Sequence, residues 1–300
     1  MGRRSASRET PSQGGIGQTG RVIGHLGVAV EVALTDGQAV RARVARGADV
    51  VVGDRVTLVD GRVVVAERAT TLVRRAAHGV RPQILAANVD TLCLLVTREP
   101  PPRVHFVDRA VVMARASGIA ARVVVTKTDL DGGEAYAEEV AATYAGSLDV
   151  RAVSIADEER VAALERSFSA DETVAFVGPS GVGKSTLTNR LCPSADLATA
   201  ALSDATGRGR HTTSKATLSR APRGFLVVDM PGVRDFGLVG LTKDELARHF
   251  PGFEDAGEDC RYTDCLHREE PGCAVTDAHA RGLVRADRLR AYRLLLDEVA

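Results

Sequence analysis

Thr173-Val-Ala-Phe-Val177 runs directly into Gly178-Pro179-Ser180-Gly181-Val182-Gly183-Lys184-Ser185-Thr186. The second stretch fits G-x-x-x-x-G-K-S/T, and its flanks decide what it means. The apolar run before it predicts a buried strand, and Ser185–Leu191 after it predicts a helix. A strand, a glycine-rich turn and a helix in that order make a phosphate cradle. The glycines let successive backbone N–H groups curl around phosphate oxygens. Lys184 reaches the terminal phosphates as a catalytic cation, and Ser185 offers its hydroxyl to Mg2+. The same order points to an α/β domain built on an open, mostly parallel sheet.

Outward from this centre, other apolar runs end in residues suited to the same ligand. Gly224–Val228 leads into Asp229-Met-Pro-Gly232. An Asp at a strand end followed by x-x-Gly can hold Mg2+ while the Gly232 N–H senses the terminal phosphate. Upstream, Val123-Val-Val-Thr126-Lys127-Thr128-Asp129-Leu130 resembles the guanine-reading motif N-K-x-D. The Asp129 carboxylate can accept two N–H bonds from a guanine edge, which adenine cannot supply, and the Lys127 stem covers the base. Val153-Ser154-Ile155 ends the next apolar stretch and is the candidate for a second base loop. Asp90–Val96 and Arg122–Val125 read as further buried strands. Phe106–Ser117 and Glu134–Tyr144 read as helices between them.

The ends of the chain have different characters. Residues 1–19 are polar without periodicity and predict a disordered tail. From Arg21 to about Arg75, short Val-rich runs are broken at Asp36-Gly37, Gly53-Asp54 and Asp60-Gly61. Asp-Gly between alternating runs is a hairpin signal, and four or five such strands predict a small OB-type β-barrel over residues 20–76. Residues 1–75 hold twelve arginines against seven acids, a net of +5. The barrel can therefore meet RNA, or it can merely pack on the α/β domain of residues 77–240. Strands are not expected in 241–300, where Asp287–Val299 reads as an amphipathic helix. Cys260-x4-Cys265-x-His267-x5-Cys273 sets three thiolates and an imidazole in one short segment. Cys3His is a closed, tetrahedral set for one structural zinc ion. Cys93 and Cys192 read as small buried hydrophobes.

Composition sets the limits. Of 300 residues 44% are hydrophobic, enough for a real core, and 39 basic residues balance 39 acids. Zero net charge excludes a globally basic nucleic-acid coat, so RNA contact must come from local patches. No apolar run reaches the roughly 18 residues of a membrane span. The polar, basic start carries no apolar segment of a secretory signal. Five cysteines argue against a disulfide framework. A cytoplasmic monomer is expected, with no membrane and no DNA partner.

The base-reading motif precedes the phosphate cradle, and the Asp229 motif follows it. That order resembles the circularly permuted GTPases. Within them the chain resembles the RsgA family (ribosome small subunit-dependent GTPase A) over about residues 20–300. The resemblance is carried by Gly53-Asp-Arg-Val56, Ala86-Ala-Asn-Val-Asp90, Phe106-Val-Asp-Arg109, Thr126-Lys-Thr-Asp129, Gly178–Thr186, Gly209-Arg-His-Thr-Thr213, Asp229-Met-Pro-Gly-Val-Arg234, and the Cys/His segment. It implies an OB-fold, a permuted GTPase domain and a zinc domain in succession, acting on GTP and GDP late in small ribosomal subunit assembly, with that subunit and its rRNA as partners. Two departures stand out. Thr126 replaces the usual Asn that ties the base loop to the cradle, and Ile155 replaces the usual Ala. The first predicts weaker nucleotide affinity before lost guanine specificity.

Catalysis is the least complete part of the pattern. In many GTPases a Gln after D-x-x-G orients the attacking water, and here Val233 stands in that place. The stretch Gly207–Ser214 lies where the first switch loop belongs. Thr213 or Thr212 can reach Mg2+ and the terminal phosphate. His211 is the candidate for the water-orienting role, which the family resemblance also implies. Arg208, Arg210, Lys215, Arg220 and Arg223 form a basic run with no acid among them, suited to RNA phosphates. Two rival readings remain at this level. One is an RNA-binding scaffold that uses its nucleotide site as a clamp with little turnover. The other is a P-loop enzyme of another class, such as an ATPase or small-molecule kinase.

Overall fold

The computed structural model describes residues 17–75, 82–193, 216–231 and 236–299. Five short strands come first: β1 (Gln18–His25), β2 (Ala29–Leu34), β3 (Ala39–Arg43), β4 (Arg55–Val59) and β5 (Arg62–Val65). They close in the order β1-β2-β3-β5-β4-β1, antiparallel except for the β3–β5 contact. This is a five-stranded OB-type barrel. The alternation in β2 turns Val30, Val32 and Leu34 inward, where they meet Val22, Ala42, Val50 and Val56. The β4–β5 turn has both Asp60 (φ 51°) and Gly61 (φ 71°) in the left-handed region. That is the two-residue geometry whose twist matches the flanking strands, and it explains the Asp-Gly pair. β1 begins at Gln18, inside the stretch expected to be tail.

A hairpin that the sequence pattern did not announce follows. β6 (Thr71–Arg75) and β7 (Pro82–Ala87) pair antiparallel as a separate two-stranded sheet. It straddles the boundary expected at 76/77 and bridges barrel and α/β domain.

The α/β domain alternates β8 (Thr91–Val96), α1 (Phe106–Ala116), β9 (Ala120–Thr126), α2 (Gly133–Thr143), β10 (Asp149–Val153), α3 (Glu158–Arg166), β11 (Thr173–Val177) and α4 (Lys184–Leu191), then β12 (Thr217–Arg220) and β13 (Leu226–Asp229). The strand order is β10-β9-β8-β11-β13-β12, parallel throughout except for β12. Both faces of the sheet are covered. Leu92, Leu94 and Val96 of β8 face α1 and α2, whereas Cys93 and Leu95 face α3 and α4. This two-sided burial is why β8 is an unbroken apolar run rather than an alternating one. Cys93 and Cys192 are fully buried members of that second core. Burial pushes both thiols up to about 12, so neither is a reactive thiolate.

Beyond residue 241 the described chain is helical: α5 (Lys243–His249), α6 (Glu254–Glu258), α7 (Ala274–Ala280) and α8 (Ala286–Glu298). Thr242 and Glu245 form a reciprocal capping box that starts α5. Phe250, Phe253 and Tyr292 stack at the centre of this layer. Its contact with α1 is closed by a buried ion pair: Arg288 Nη2 lies 2.6 Å from Asp108 Oδ1. Tyr144 donates to the same oxygen at 3.0 Å. Burial alone would raise the Asp108 carboxyl. The His105 hydrogen bond and the Arg288 guanidinium reverse that and hold it below the usual carboxylate range. No helix among the described residues is long and apolar enough to cross a membrane.

Candidate nucleotide site and Cys/His centre

Four sequence motifs end strands, and because those strands are parallel all four emerge at one edge of the sheet. Thr126 ends β9, Ser154 follows β10, Gly178 follows β11 and Asp229 ends β13. Ligands of open α/β sheets bind along this carboxyl edge. The Gly178–Gly183 loop connects β11 to α4. A Cβ at residue 178 would stand 2.3 Å from the Leu95 carbonyl oxygen, so only glycine lets the loop leave the sheet beside β8. Gly181 and Gly183 both have positive φ, and Val182 is buried beneath the loop while Ser180 and Thr186 are exposed. Pro179 is half-buried.

Two side chains give this edge its electrostatics. Lys184 Nζ donates to the carbonyls of Gly178 (2.9 Å) and Pro179 (2.8 Å), which folds the ammonium across the loop. Burial lowers the Lys184 pKa, and Asp229 partly opposes this. Asp229 is buried, and Ser185 Oγ donates to its Oδ2 at 3.2 Å. Its Oδ1 is buried and finds no hydrogen-bond partner among the described residues. Burial raises the Asp229 carboxyl, with Ser185 and Lys184 acting in the other direction. A buried carboxylate oxygen without a donor, next to a hydroxyl, is the oxygen pair a Mg2+ ion takes while keeping its waters. Ser185 and Asp229 therefore fit the cation that a GTPase uses.

The Thr126–Asp129 loop is joined to the Gly178–Gly183 loop by the residue that departs from the usual motif. Thr126 Oγ1 donates to the Val182 carbonyl at 2.6 Å and lies 3.2 Å from the Val96 carbonyl. The hydroxyl thus makes the tie expected of an Asn. Lys127 sits at φ 58°, and its Nζ reaches the Glu99 carbonyl at 3.4 Å. Asp129 is exposed at the loop tip. Ser154 is buried, and its Oγ accepts the Ala156 N–H at 3.1 Å, ordering the second loop. Ile155 is 52% exposed, so its larger side chain displaces nothing.

His211, Thr212, Thr213 and Gly232 lie outside the described residues, as does Val233. Two neighbours of these loops were not singled out from the sequence as part of the site. Glu99–Pro100 packs beside the loop, with Pro100 within 3.8 Å of where a Cβ on Gly181 would sit. Arg160 contacts Thr128 in one of these loops and Asp157 at the end of the other, and nothing in sequence separates it from the other helix arginines.

The Cys/His cluster assembles as its spacing predicted. The ligand atoms of Cys260, Cys265, His267 and Cys273 all lie within 4.8 Å of one another. His267 Nδ1 is 3.5 Å from both the Cys260 and Cys273 sulfurs. With Zn–S about 2.3 Å and Zn–N about 2.0–2.1 Å, a tetrahedral S–N edge is about 3.5 Å. Burial and the neighbouring thiols push Cys265 up to about 12, and burial lowers His267. Three thiols and an imidazole converging at these distances are a zinc donor set, so this cluster could hold a zinc ion. His267 is itself wedged edge-on against Phe253 and beside Tyr292.

The chain is similar to known proteins in sequence and in fold. Residues 65–239 match the RsgA GTPase family. A small ribosomal subunit biogenesis GTPase RsgA of Gemmatimonas aurantiaca is 40% identical over 258 residues, spanning 83% of this chain and 84% of its own. Its namesake in Pseudomonas aeruginosa is 36% identical over 288 residues, spanning 93% and 85%. The crystal structure of YloQ, a circularly permuted GTPase, superposes with a TM-score of 0.71 at 25% identity over 97% of this chain and 98% of that one. YjeQ from Thermotoga maritima shares the fold with a TM-score of 0.72 at 24% identity, over 94% and 98%.

Proposed function

The chain belongs to the RsgA GTPase family, and from that premise we infer how its own residues serve the reaction. It is a GTP hydrolase of ribosome biogenesis. The observation that carries the site assignment is a pair of hydrogen bonds, Thr126 to Val182 and Ser185 to Asp229, which draw the base loop, the cradle and the D-x-x-G strand to one edge.

In the reaction water attacks the γ-phosphorus and the bond to the β–γ bridging oxygen breaks, giving GDP and phosphate. The backbone N–H groups of residues 178–186 hold the phosphates, and Lys184 swings from its loop carbonyls onto the β- and γ-oxygens. Ser185, Asp229 and, from the sequence, Thr213 or Thr212 would hold Mg2+, which neutralises charge developing on the transferred group. Gly232 senses the γ-phosphate. Asp129 with Lys127, and the backbone beyond Ser154, select the base. His211 orients the water, because Val233 cannot hydrogen-bond. Cys260, Cys265, His267 and Cys273 hold one structural zinc ion that stabilises the C-terminal helices. The small ribosomal subunit and its rRNA are the partner, docking on the basic barrel and completing the loop that carries His211.

The test is the GTP hydrolysis rate of zinc-loaded protein with and without purified small ribosomal subunits. The expected result is slow turnover alone and stimulation of about 10²-fold or more with subunits. His211→Ala should abolish the stimulation and leave GTP binding intact. Bound GTP with no stimulation would instead support an RNA-binding scaffold that uses nucleotide as a clamp.

A further inference from the structure

The base-reading loops leave β9 and β10 where the ladder stops. The last backbone pair is Thr126 with Val153, and beyond it no strand bond fixes how far apart the two loops stand. One side chain from α3 crosses that gap. Arg160 Nη1 donates to Thr128 Oγ1 at 3.1 Å and to Glu134 Oε1 at 2.6 Å. Its Nε lies 3.2 Å from Asp157 Oδ2.

Each of these partners is anchored in turn. Thr128 is buried and immediately precedes Asp129. Glu134 belongs to α2, which follows the first base loop. Asp157 caps α3 by accepting the Arg160 N–H at 3.0 Å, and its own N–H returns to the Ser154 carbonyl at 3.1 Å. A guanidinium is a rigid planar fork of donors, so contacts on both sides fix a distance as well as adding attraction.

We propose that Arg160 is a positioning residue for base selection, holding the Thr126–Asp129 loop and the Ser154–Asp157 loop at the separation that lets both address one purine. The role rests on the guanine reading of these loops. Guanine presents an N–H and an exocyclic amine to a carboxylate on one side and a carbonyl oxygen to backbone N–H groups on the other. Only loops at a fixed spacing meet both edges together. Hypoxanthine lacks the exocyclic amine, so the preference for GDP over IDP reports how well the Asp129 loop is placed. Because Arg160, Glu134 and Asp157 are partly exposed, their ion pairs add little to global stability. The consequence of the clamp falls on selectivity.

The experiment measures GDP, IDP and ADP affinities by fluorescent-nucleotide competition on the full chain, for wild type, Arg160→Ala, Arg160→Lys and Thr128→Val. Arg160→Ala should reduce the GDP-over-IDP preference about three- to tenfold, as expected for losing charge-assisted hydrogen bonds. Arg160→Lys should not restore it, since one ammonium cannot reach all three acceptors. Thr128→Val should give part of the same loss, and adding it to Arg160→Ala should cost little more. An unchanged GDP-over-IDP ratio in Arg160→Ala, or an equal loss for all three nucleotides, overturns the role. Wild-type protein that binds ADP as well as GDP would sink the guanine reading itself, and this role with it.

Discussion

Thr126 shows how one hydroxyl can make the connection that the family resemblance assigns to an Asn amide. It reaches the Val182 carbonyl directly, at 2.6 Å and fully inside the protein. An Asn in that place has two donors and a longer reach, so the Thr tie is the shorter and poorer of the two. Thr126→Val keeps the shape and removes the donor, leaving the Val182 carbonyl short of a partner at a cost of about 1–3 kcal/mol. We expect GDP affinity to fall about tenfold or more while the preference for guanine over adenine persists, because Asp129 is untouched. Nucleotide titration of the two proteins checks this. Equal affinity would mean that the base loop is held by β9 alone.

At the scale of elements, the junction between α1 and α8 concentrates charge in a dry place. Asp108 and Arg288 have side-chain exposures of 3% and 8%. The guanidinium also lies 4.7 Å from the Tyr144 ring centre and 4.8 Å from that of Phe250. Removing one partner of a buried pair strands the other, at about 3–5 kcal/mol. Asp108→Ala and Arg288→Ala should each be strongly destabilising in urea denaturation, and the double variant should cost clearly less than their sum. Strict additivity would refute the coupling. The same pair sets an acid limit. The Asp108 pKa is depressed in the fold, so its contribution is complete above the unfolded carboxyl value near 3.8 and is lost as pH falls below it. Acid unfolding of the C-terminal helices should therefore be less steep below about pH 4 in Asp108→Asn.

For the whole molecule, the largest fact is that the barrel and the α/β domain share one sheet. β12 pairs with β13 on one side and, through Gly24 and Thr217, with β1 of the barrel on the other. The joint is reinforced by Asn88, whose Nδ2 donates to the Gly53 carbonyl at 3.0 Å and whose Oδ1 accepts the Ala69 N–H at 3.0 Å. Arg21 bonds the carbonyls of both Gly53 and Asn88. These contacts give Gly53 and Asn88, one from each of the Gly53–Val56 and Ala86–Asp90 motifs, a structural role in the joint. Asn88 also occupies a left-handed backbone position that Ala tolerates poorly. Asn88→Ala should therefore lower stability by roughly 1–3 kcal/mol. It should weaken subunit-stimulated hydrolysis and spare the unstimulated rate. Equal loss of both rates would place the joint inside the catalytic unit.

Much of this was legible residue by residue. The glycines and lysine of 178–186, the Asp-Gly turns of the barrel and the spacing of Cys260, Cys265, His267 and Cys273 each depend on one short segment, and the permuted order follows once such segments are read in turn. Local sterics and ligand chemistry fix what such residues can do. The tertiary structure alone decided the β1–β12 pairing, the β6–β7 hairpin, the burial of Asp229 beside Ser185 and the reach of Arg160 across two loops. Side-chain periodicity says that a segment is a strand and which face is buried. It does not say which strand lies beside it, because the bonds that join strands are made by the backbone, which every residue shares.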